Sequence, residues 1–372
     1  MNKLVLANLL HRPLRSIISI FAVAIEVIMI LSIVAIFMGQ LNSEKERTNG
    51  IGADLIVSPP NASFMNGVSG APMSVKLVPV FLKMPHVTVA SPAITNLNMG
   101  SSLEVLWGID YASYAALKPF VFLSGGPFQH PYDVIVDDVF AQTRNPATGK
   151  PYIVGQTINI LNHTFRICGI VESGKGGRKL IPIDTMAQLV GSEGKATVIY
   201  LKTDNPANDQ LVIQEIHDTK GLENYKVQTM ADLIALYTPA RFPGFNIAMN
   251  VIIFIAVIVG FLVIFQSMYT AVLERTREIG ILKSLGASKP TIVGVVLRET
   301  GVLAVVGVLL GIASTYGVRE LLHVKFATFS FELTAAWIGW GALIAFLGAL
   351  CGALYPAWMA ARKDPIDALA YE

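Results

Sequence analysis

The apolar residues of this chain are gathered in four long runs, one near its start and three in its last third. The runs predict spans at residues 17–38, 246–272, 291–318 and 335–359, where the third includes a lead-in before its apolar core at 300–318. Crossing the hydrocarbon core of a bilayer takes about 20 apolar helical residues. The pattern therefore predicts four transmembrane helices, which we number as spans 1 to 4.

Span 1 has features of a signal peptide, because the basic residues Lys3, Arg12 and Arg15 precede it. However, its apolar run is longer than the roughly 7–15 residues of a signal-peptide core. The sequence Met38-Gly-Gln-Leu41 also offers no small-x-small cleavage site. We therefore expect span 1 to be retained as a helix.

Between spans 1 and 2 the pattern changes to short runs rich in β-branched and aromatic residues, separated by Gly, Pro, Asn and Asp. Strands are predicted at 53–57, 87–90, 103–107, 134–136, 157–160, 165–171 and 198–201, and helices at 209–217 and 230–236. Residues 39–241 are long enough for a core of their own. The predicted fold class is a membrane α-helical protein with an α/β domain inserted between its first two transmembrane helices.

Composition agrees with a membrane protein, since 53% of the residues are hydrophobic and only 15% are charged, against about 25% charged in soluble domains. The net charge of +2 and the lack of a basic-aromatic stripe exclude nucleic acid as an expected partner. Cys168 and Cys351 stand in no metal-binding or disulfide spacing, and we expect both to be small buried side chains. No metal site is predicted.

The basic residues near the spans indicate how the chain crosses the membrane. Three precede span 1, five lie between spans 2 and 3, and two follow span 4, whereas the short connection between spans 3 and 4 has two. They are Lys3, Arg12 and Arg15; Arg275, Arg277, Lys283, Lys289 and Arg298; Arg362 and Lys363; and, on the other side, Arg319 and Lys325. Residues 1–16 and 360–372 are therefore predicted to be cytoplasmic, and the inserted domain extracytoplasmic.

Residues 273–290, between spans 2 and 3, predict a short amphipathic helix that ends near Gly286. Its apolar edge and its charged edge are made of different residues. The apolar edge has Ile281, Leu282 and Leu285, and the charged edge has Glu274, Arg275, Arg277, Glu278 and Lys283. A short, stiff helix tied to two spans can pass a push from a soluble partner into the membrane. The alternative is a helix lying on anionic lipid.

Three segments resemble the MacB/FtsX superfamily of ABC transporter permeases, also called the type VII architecture. The coupling segment of that family is similar to Glu274-Arg-Thr-Arg-Glu-Ile-Gly-Ile281 followed by Leu285-Gly-Ala287. The family's ending is similar to Tyr355-Pro-Ala at the close of span 4, followed by Asp364-Pro-Ile-Asp-Ala-Leu369. Gly52-Ala-Asp-Leu-Ile-Val57 is a looser match after span 1. The arrangement of one span, an outer domain and three more spans is also that of the family.

The resemblance implies a permease dimer in a bacterial inner membrane, with spans 1 and 2 facing the second copy. It implies that each coupling helix docks on a separate ATPase, because the sequence contains no Walker A motif; ATP and Mg²⁺ would then bind to that partner and no cofactor to this chain. The residues it assigns to ATPase coupling are Glu274, Arg275, Arg277, Glu278, Ile279, Gly280, Lys283, Leu285 and Gly286. A periplasmic adaptor protein and an outer-membrane channel are further partners in such systems.

Family members typically work by mechanotransmission, in which closure of the ATPase moves the outer domains and drives export. Another hypothesis is a transducer that transports nothing and activates an outer enzyme, as FtsX-like proteins do. A third is a proton-coupled carrier that uses Glu26. The coupling segment favours the first two hypotheses, because a carrier needs no docking helix. The substrate is not predicted.

Glu26 lies nine residues into span 1, about 13 Å deep at 1.5 Å per residue. An intramembrane acid is costly, usually faces a bundle interior and is functional by default. It could form a protonated hydrogen bond across a dimer, line a lateral ligand site at the dimer interface, or relay protons. Met29 lies one turn further on the same face, so a Glu26–Met29 pair from each copy could hold haem as a substrate.

Other motifs favour structural roles. Gly307 and Gly311 form a GxxxG pair, and Gly348 and Gly352 repeat the spacing in span 4, so we assign them to close packing among spans 2 to 4. Ser173–Lys179 is rich in Gly, Lys and Arg but lacks a Walker pattern, which favours a flexible basic loop. The pair Asp137-Asp138 suggests a solvated turn or a helix start, and no pattern indicates an enzyme site.

Overall fold

The computed structural model describes residues 13–60, 62, 72–99, 103–146, 148–241, 244–326 and 328–363. The C-terminal motif from Asp364 onward and most of the N-terminal segment 1–16 lie outside these ranges. Two compact units are present. A helical unit contains residues up to 39, 243–324 and from 329 onward, and the inserted domain contains residues 40–242 together with 325–328.

Within the described ranges, four helices are long and apolar enough to cross a membrane. They are α1 (Pro13–Asn49), α8 (Phe245–Glu274), α10 (Lys289–Lys325) and α11 (Ala335–Arg362). Each contains a predicted span, and α1 and α10 continue well beyond theirs. In α1 the extension is made of good helix formers, and Glu44 forms an ion pair with Arg47 one turn later. The four predicted transmembrane helices are confirmed.

Small residues let these helices approach one another closely. On α11 the alanines 345, 349, 353 and 357 are fully buried, and they recur every four residues along one face. A Cβ on Gly352 would lie 2.8 Å from the Phe261 carbonyl oxygen of α8. Helices α8 and α11 contain spans 2 and 4, which were among the spans expected to pack closely through glycine.

Gly307 and Gly311 pack differently from the prediction. A Cβ on either residue would lie 2.7 Å from the Cβ of a valine on α1, Val23 for Gly307 and Val27 for Gly311. The assignment of this pair to packing among spans 2 to 4 is therefore wrong, because these glycines of span 3 face span 1. The GxxxG spacing predicts a close approach, but it carries no information about which helix approaches.

The inserted domain is built on a sheet of ten strands in the part of the chain that the structure describes, in the order β12-β1-β11-β3-β4-β9-β6-β8-β5 with β7 paired to β8. Only β4–β9 and β6–β8 are parallel among the described pairs. The strands are β1 (Leu55–Ser58), β3 (Val87–Met99), β4 (Leu103–Ile109), β5 (Phe122–Gly125), β6 (Asp133–Asp137), β7 (Thr157–Ile160), β8 (His163–Val171), β9 (Lys179–Pro182), β11 (Val198–Thr203) and β12 (Lys226–Thr229). A separate pair joins β2 (Met73–Ser74) to β10 (Lys195–Ala196).

Short helices cover the two halves of this sheet. They are α2 (Val78–Phe81), α3 (Tyr111–Leu117), α4 (Asp138–Ala141), α5 (Ile183–Val190), α6 (Asp209–Asp218) and α7 (Met230–Leu236). One apolar core includes Phe81, Ile199 and Ile216, and the other includes Leu106, Phe165 and Met186. All seven predicted strands and both predicted helices are present, so the α/β class is confirmed.

The segment Ser173–Lys179 was predicted as a flexible basic loop, but much of it is buried. Lys175 is only 7% exposed, and its Nζ donates to the Lys118 carbonyl oxygen at 2.7 Å. Burial, with Lys118 and Lys202 nearby, lowers the pKa of Lys175 to about 8. Lys179 belongs to β9 and forms an ion pair with Glu104 at 2.7 Å. The charges of this segment are thus part of the packed domain.

Three further residues were partly misassigned. Asp137 does start a helix, since its carboxylate caps α4 at the Phe140 N–H (2.7 Å), but it is buried and not solvated. Cys351 is exposed on α11 and Cys168 is half-buried, so neither is the fully buried side chain that we expected. Both cysteines are unbridged, as predicted.

Candidate functional site

A break in the backbone separates α8 from the short helix that follows it. Arg275 has φ −108° and ψ 17°, outside the helical region, and α9 (Thr276–Ser284) begins directly after it. Gly286, at φ +94°, ends this segment in a conformation that favours glycine. The predicted coupling helix at 273–290 is therefore shorter in the structure, because its first two residues belong to the end of α8 and its third, Arg275, is the break.

The break turns α9 so that its faces differ from the predicted ones. Ile279 and Gly280 are buried, whereas Ile281 is 43% and Leu285 is 80% exposed. The predicted apolar edge of Ile281, Leu282 and Leu285 is therefore not the face that α9 buries. Arg277, Glu278, Ile281 and Leu285 together form a mixed exposed surface, which we call the α9 surface.

Arg275 was predicted on the exposed charged edge, but it is buried and paired with an acid of α10. Its Nη1 donates to Glu299 Oε2 at 2.9 Å. The other oxygen of the same carboxylate, Oε1, accepts from Arg15 Nη2 of α1 at 2.8 Å. Glu299 is 4% exposed, so this triad of Arg15, Glu299 and Arg275 is largely removed from water and its attraction is weakly screened.

The triad joins three parts of the helical unit at one carboxylate. Arg15 lies in the first turn of α1, Glu299 lies in α10, and Arg275 lies at the junction of α8 with α9. A displacement of α9 must therefore move Glu299, or break its bond to Arg275. Because Glu299 also binds Arg15, the same carboxylate connects this junction to α1.

Lys283 makes a second attachment of α9. Its Nζ donates to the carbonyl oxygens of Ala361 (3.1 Å) and Lys363 (2.5 Å), at the end of α11. Carbonyls at the end of a helix lack intrahelical partners, and a lysine there satisfies them. Lys283 was predicted on the charged edge and is instead half-buried.

A cavity of about 290 Å³ lies between α9 and the neighbouring ends of α8 and α10. Its apolar lining includes Met268, Val272, Ile279, Leu282, Ile292 and Val296. Arg275, Glu278 and Glu299 also contribute to the wall. The space leaves room for α9 to move relative to α8 and α10 without immediate overlap.

Glu26 lies inside the bundle of its own chain. It is 3% exposed, and both carboxyl oxygens are buried with no hydrogen-bond partner among the described residues. Gly260 of α8 and Gly348 of α11 flank the carboxyl group. The two expectations that placed Glu26 at a dimer interface are therefore contradicted, because the side chain is already enclosed by one chain.

Met29 is half-buried one turn further along α1. A haem site made by Glu26 and Met29 of two copies needs both side chains on an outer face, and the enclosed Glu26 does not provide that. In the described ranges no three His, Cys, Asp or Glu side chains are grouped as a metal site.

Two family models match the chain. Residues 16–219 match the MacB-like periplasmic core domain, and residues 250–365 match the FtsX-like permease C-terminal domain. The first match alone covers more than half of the chain.

Similar proteins include the ABC transporter permease YknZ of Bacillus subtilis, 25% identical over 100% of this chain and 98% of that protein. The macrolide export ATP-binding/permease protein MacB of Nitrobacter winogradskyi is 26% identical over 98% of this chain and 59% of its own length. The ABC transporter permease MJ1507 of Methanocaldococcus jannaschii is 28% identical over 59% of this chain and 58% of its length. The chain thus spans less than two thirds of the MacB and MJ1507 proteins.

Solved structures that resemble part of the chain include the periplasmic region of MacB from Actinobacillus actinomycetemcomitans, with a TM-score of 0.39 at 14% identity over 50% of this chain and 92% of that one. The extracellular domain of YknZ has a TM-score of 0.35 at 13% identity, over 47% and 98%. The two family matches are separated by residues 220–249, and together they cover most of the inserted domain and the helices that follow it. The chain belongs to the MacB/FtsX-type permeases of ABC transporters.

Proposed function

We propose that this chain is a permease subunit that couples ATP hydrolysis by a separate ATPase to movement of its inserted domain, for export by mechanotransmission. The observation that carries the proposal is the shared carboxylate of Glu299, which joins Arg275 beside α9 to Arg15 of α1. Helix α1 then continues without interruption to Asn49, over 37 residues and about 55 Å. A push on α9 can therefore reach the start of the inserted domain through a single stiff element.

In this proposal the ATPase docks on the α9 surface, with Leu285 and Ile281 as apolar contacts and Arg277 and Glu278 as polar ones. Leu285 is 80% and Ile281 43% exposed, so the α9 surface offers apolar area that a partner could cover. Gly286 lets the chain turn directly after Leu285, and Glu274 is the last residue of α8, before the break that precedes α9. Arg275, Ile279, Gly280 and Lys283 would hold α9 in place, since they face the helical unit.

The proposal also includes the orientation and partners that the sequence suggests. Both termini and α9 are cytoplasmic, and the inserted domain lies outside the bacterial inner membrane, because the basic residues concentrate beside α9 and the chain ends. Two copies of the chain form a homodimer with two ATPase subunits, which bind ATP and Mg²⁺. A periplasmic adaptor and an outer-membrane channel complete the export pathway.

The docking surface is tested by purifying the chain in mild detergent from its source cells and identifying the ATPase that accompanies it. Leu285→Asp is expected to reduce the recovered ATPase at least tenfold, since a buried charge opposes an apolar contact by more than about 1.4 kcal/mol. The matched control is Leu211→Asp on α6, where leucine is also exposed (57%) but lies in the inserted domain.

The outcomes separate the parts of the proposal. If no ATPase accompanies the unaltered chain, the ABC coupling fails. If the ATPase is retained by Leu285→Asp as well as by the control, the α9 surface is not the docking site. An outer hydrolase in place of an adaptor and channel would identify a transducer and overturn the export step.

A further inference from the structure

Strand β6 begins and ends with a buried aspartate, and each aspartate binds one arginine. Asp133 accepts from Arg166 at 3.0 Å, and Asp137 accepts from Arg178 at 3.3 Å. The two aspartates are 1% and 3% exposed. The arginines differ in their surroundings, because the Arg166 side chain is 46% exposed and that of Arg178 only 15%.

Arg178 makes two further contacts with segments remote from β6, whereas Arg166 Nη2 lies 3.0 Å from Nδ1 of His130, three residues before Asp133. Arg178 Nη2 donates to the hydroxyl of Ser43 (3.4 Å) and to the carbonyl oxygen of Thr328 (3.1 Å). Ser43 lies near the end of α1, and Thr328 lies in the connection between α10 and α11. Residues 325–328 group with the inserted domain, although their sequence neighbours on both sides belong to the helical unit.

The segment that carries Arg178 is packed against the end of α1. The Gly176 N–H donates to the Arg47 carbonyl oxygen at 3.0 Å. A Cβ on Gly50 would overlap the Gly174 carbonyl oxygen, so the two backbones touch. Trp107 of β4 covers the other side, because its ring would lie 2.7 Å from a Cβ on Gly176. Arg178 therefore projects from a backbone that has little room to shift.

We infer that Arg178 is a positioning residue that fastens the α10–α11 connection, as well as the end of α1, to strand β6 of the inserted domain. The guanidinium suits this role because its planar fork offers several donors at fixed angles, whereas an ammonium group is a single point charge. The chain itself joins the domain to α1 and α8, and Arg178 adds a link to the connection that follows α10. Movements of α10 and α11 then also reach the sheet, a step that rests on the proposed function.

The link is tested by limited trypsin digestion of the full chain in lipid nanodiscs without ATP. Lys325 lies three residues before Thr328. Cleavage after Lys325 therefore requires the α10–α11 connection to detach from the inserted domain and to enter the active site of the protease. Arg178→Gln is expected to speed this cleavage about tenfold. The attached connection then lacks a charged hydrogen bond worth about 1.5 kcal/mol, so it opens locally more often. The matched control Arg166→Gln removes the other aspartate partner of β6 and is expected to leave the rate unchanged.

A second variant guards against simple loss of folding. Arg178→Lys keeps a cation beside Asp137 but cannot bridge Asp137, Ser43 and Thr328 together, so we expect near-normal thermal stability with faster cleavage at Lys325. Equal cleavage in Arg178→Lys, Arg166→Gln and the unaltered chain would overturn the inference. Equal acceleration by Arg178→Gln and Arg166→Gln would also overturn it, because it would indicate general loosening of the domain.

The role in coupling is measured separately on the complex with its co-purified ATPase. ATP is expected to change the rate of cleavage after Lys325 in the unaltered complex, and this change is expected to be lost in Arg178→Lys. If the link is present without ATP but ATP changes nothing in the unaltered complex, the proposed function fails and the link stands. If ATP acts equally on both chains, the link exists without the coupling role that we assign to it.

Discussion

The carboxyl group of Glu26 on α1 projects onto the Cα of Gly260 on α8, where any side chain at position 260 would overlap it. Gly348 of α11 flanks the same carboxyl, with its Cβ position 3.6 Å from Oε1. An acid without a hydrogen-bond partner in an apolar bundle is costly. The glycines show that the fold makes room for this acid, so its position is specified by the neighbouring helices.

Gly260→Ala is expected to destabilise the helical unit by about 1–3 kcal/mol, because the added methyl overlaps the Glu26 carboxyl. Unfolding of the full chain by SDS in mixed micelles measures this change. Glu26→Ala in the same chain is expected to remove most of the penalty, because it vacates the space. The control Gly294→Ala adds a methyl on α10 where nothing lies within 4 Å. Additive effects of the Gly260 and Glu26 changes would contradict the contact.

The glycines of α10 give a comparison within one helix. Gly307→Ala is expected to cost about 1–3 kcal/mol, because the new methyl presses on Val23 of α1. Gly317→Ala meets nothing within 4 Å and is expected to be neutral, or stabilising by up to about 1 kcal/mol, since alanine favours helix over glycine. Both are measured by the same SDS unfolding. A cost at Gly307 that Val23→Ala does not reduce would argue against this packing.

Glu299→Gln is expected to destabilise the helical unit by about 3 kcal/mol or more, because two buried arginines then share a neutral amide. Thermal unfolding in detergent compares this variant with Glu278→Gln, which removes an exposed acid of α9 and should change stability by less than about 0.5 kcal/mol. In the ATPase complex, Glu299→Gln should also leave ATP hydrolysis intact while weakening its effect on the inserted domain. Equal stability of the two variants would remove the triad as a structural link.

The buried Lys175 leads to a prediction about how the stability of the inserted domain depends on pH. Its folded pKa of about 8 lies below its ordinary value of 10.5, chiefly because of burial. The unfolded chain therefore binds this proton more tightly between those values, so stability should rise with pH from about 8 to 10.5, by at most about 1.4 kcal/mol per pH unit. Comparing chemical unfolding at pH 8 and pH 10, Lys175→Met should lose this rise, and Lys195→Met, at an exposed site, should keep it. A rise that persists in Lys175→Met would have another origin.

The spans and the strand pattern could be predicted because both depend on local periodicity and run length. The buried and exposed faces of α9 could not be predicted from the sequence. Reading residues 273–290 as one uninterrupted helix put Arg275 on the charged edge and Ile281 on the apolar edge. The break at Arg275 changes the direction in which each residue of α9 faces. Such a break depends on the backbone angles of one residue, which leave little trace in the sequence.

The triad was missed for a different reason. Arg15, Arg275 and Glu299 are far apart in the chain, and no local pattern pairs them. One signal was available, since Glu299 is an acid in the lead-in that directly precedes the predicted apolar core of span 3 at 300–318. Arg178 was hidden because Ser173–Lys179 has the composition of a solvated loop, and its burial results from contacts with residues more than 120 positions away.

The shared carboxylate of Glu299 has a consequence for biogenesis. Arg15 and Arg275 both precede Glu299 in the chain, so the insertion machinery meets two cations before their common acid has been synthesised. Cations beside a helix set its orientation as it enters the bilayer. The same two residues can thus first act as topology signals, and later, once α10 has been inserted, become the partners that lock the finished bundle.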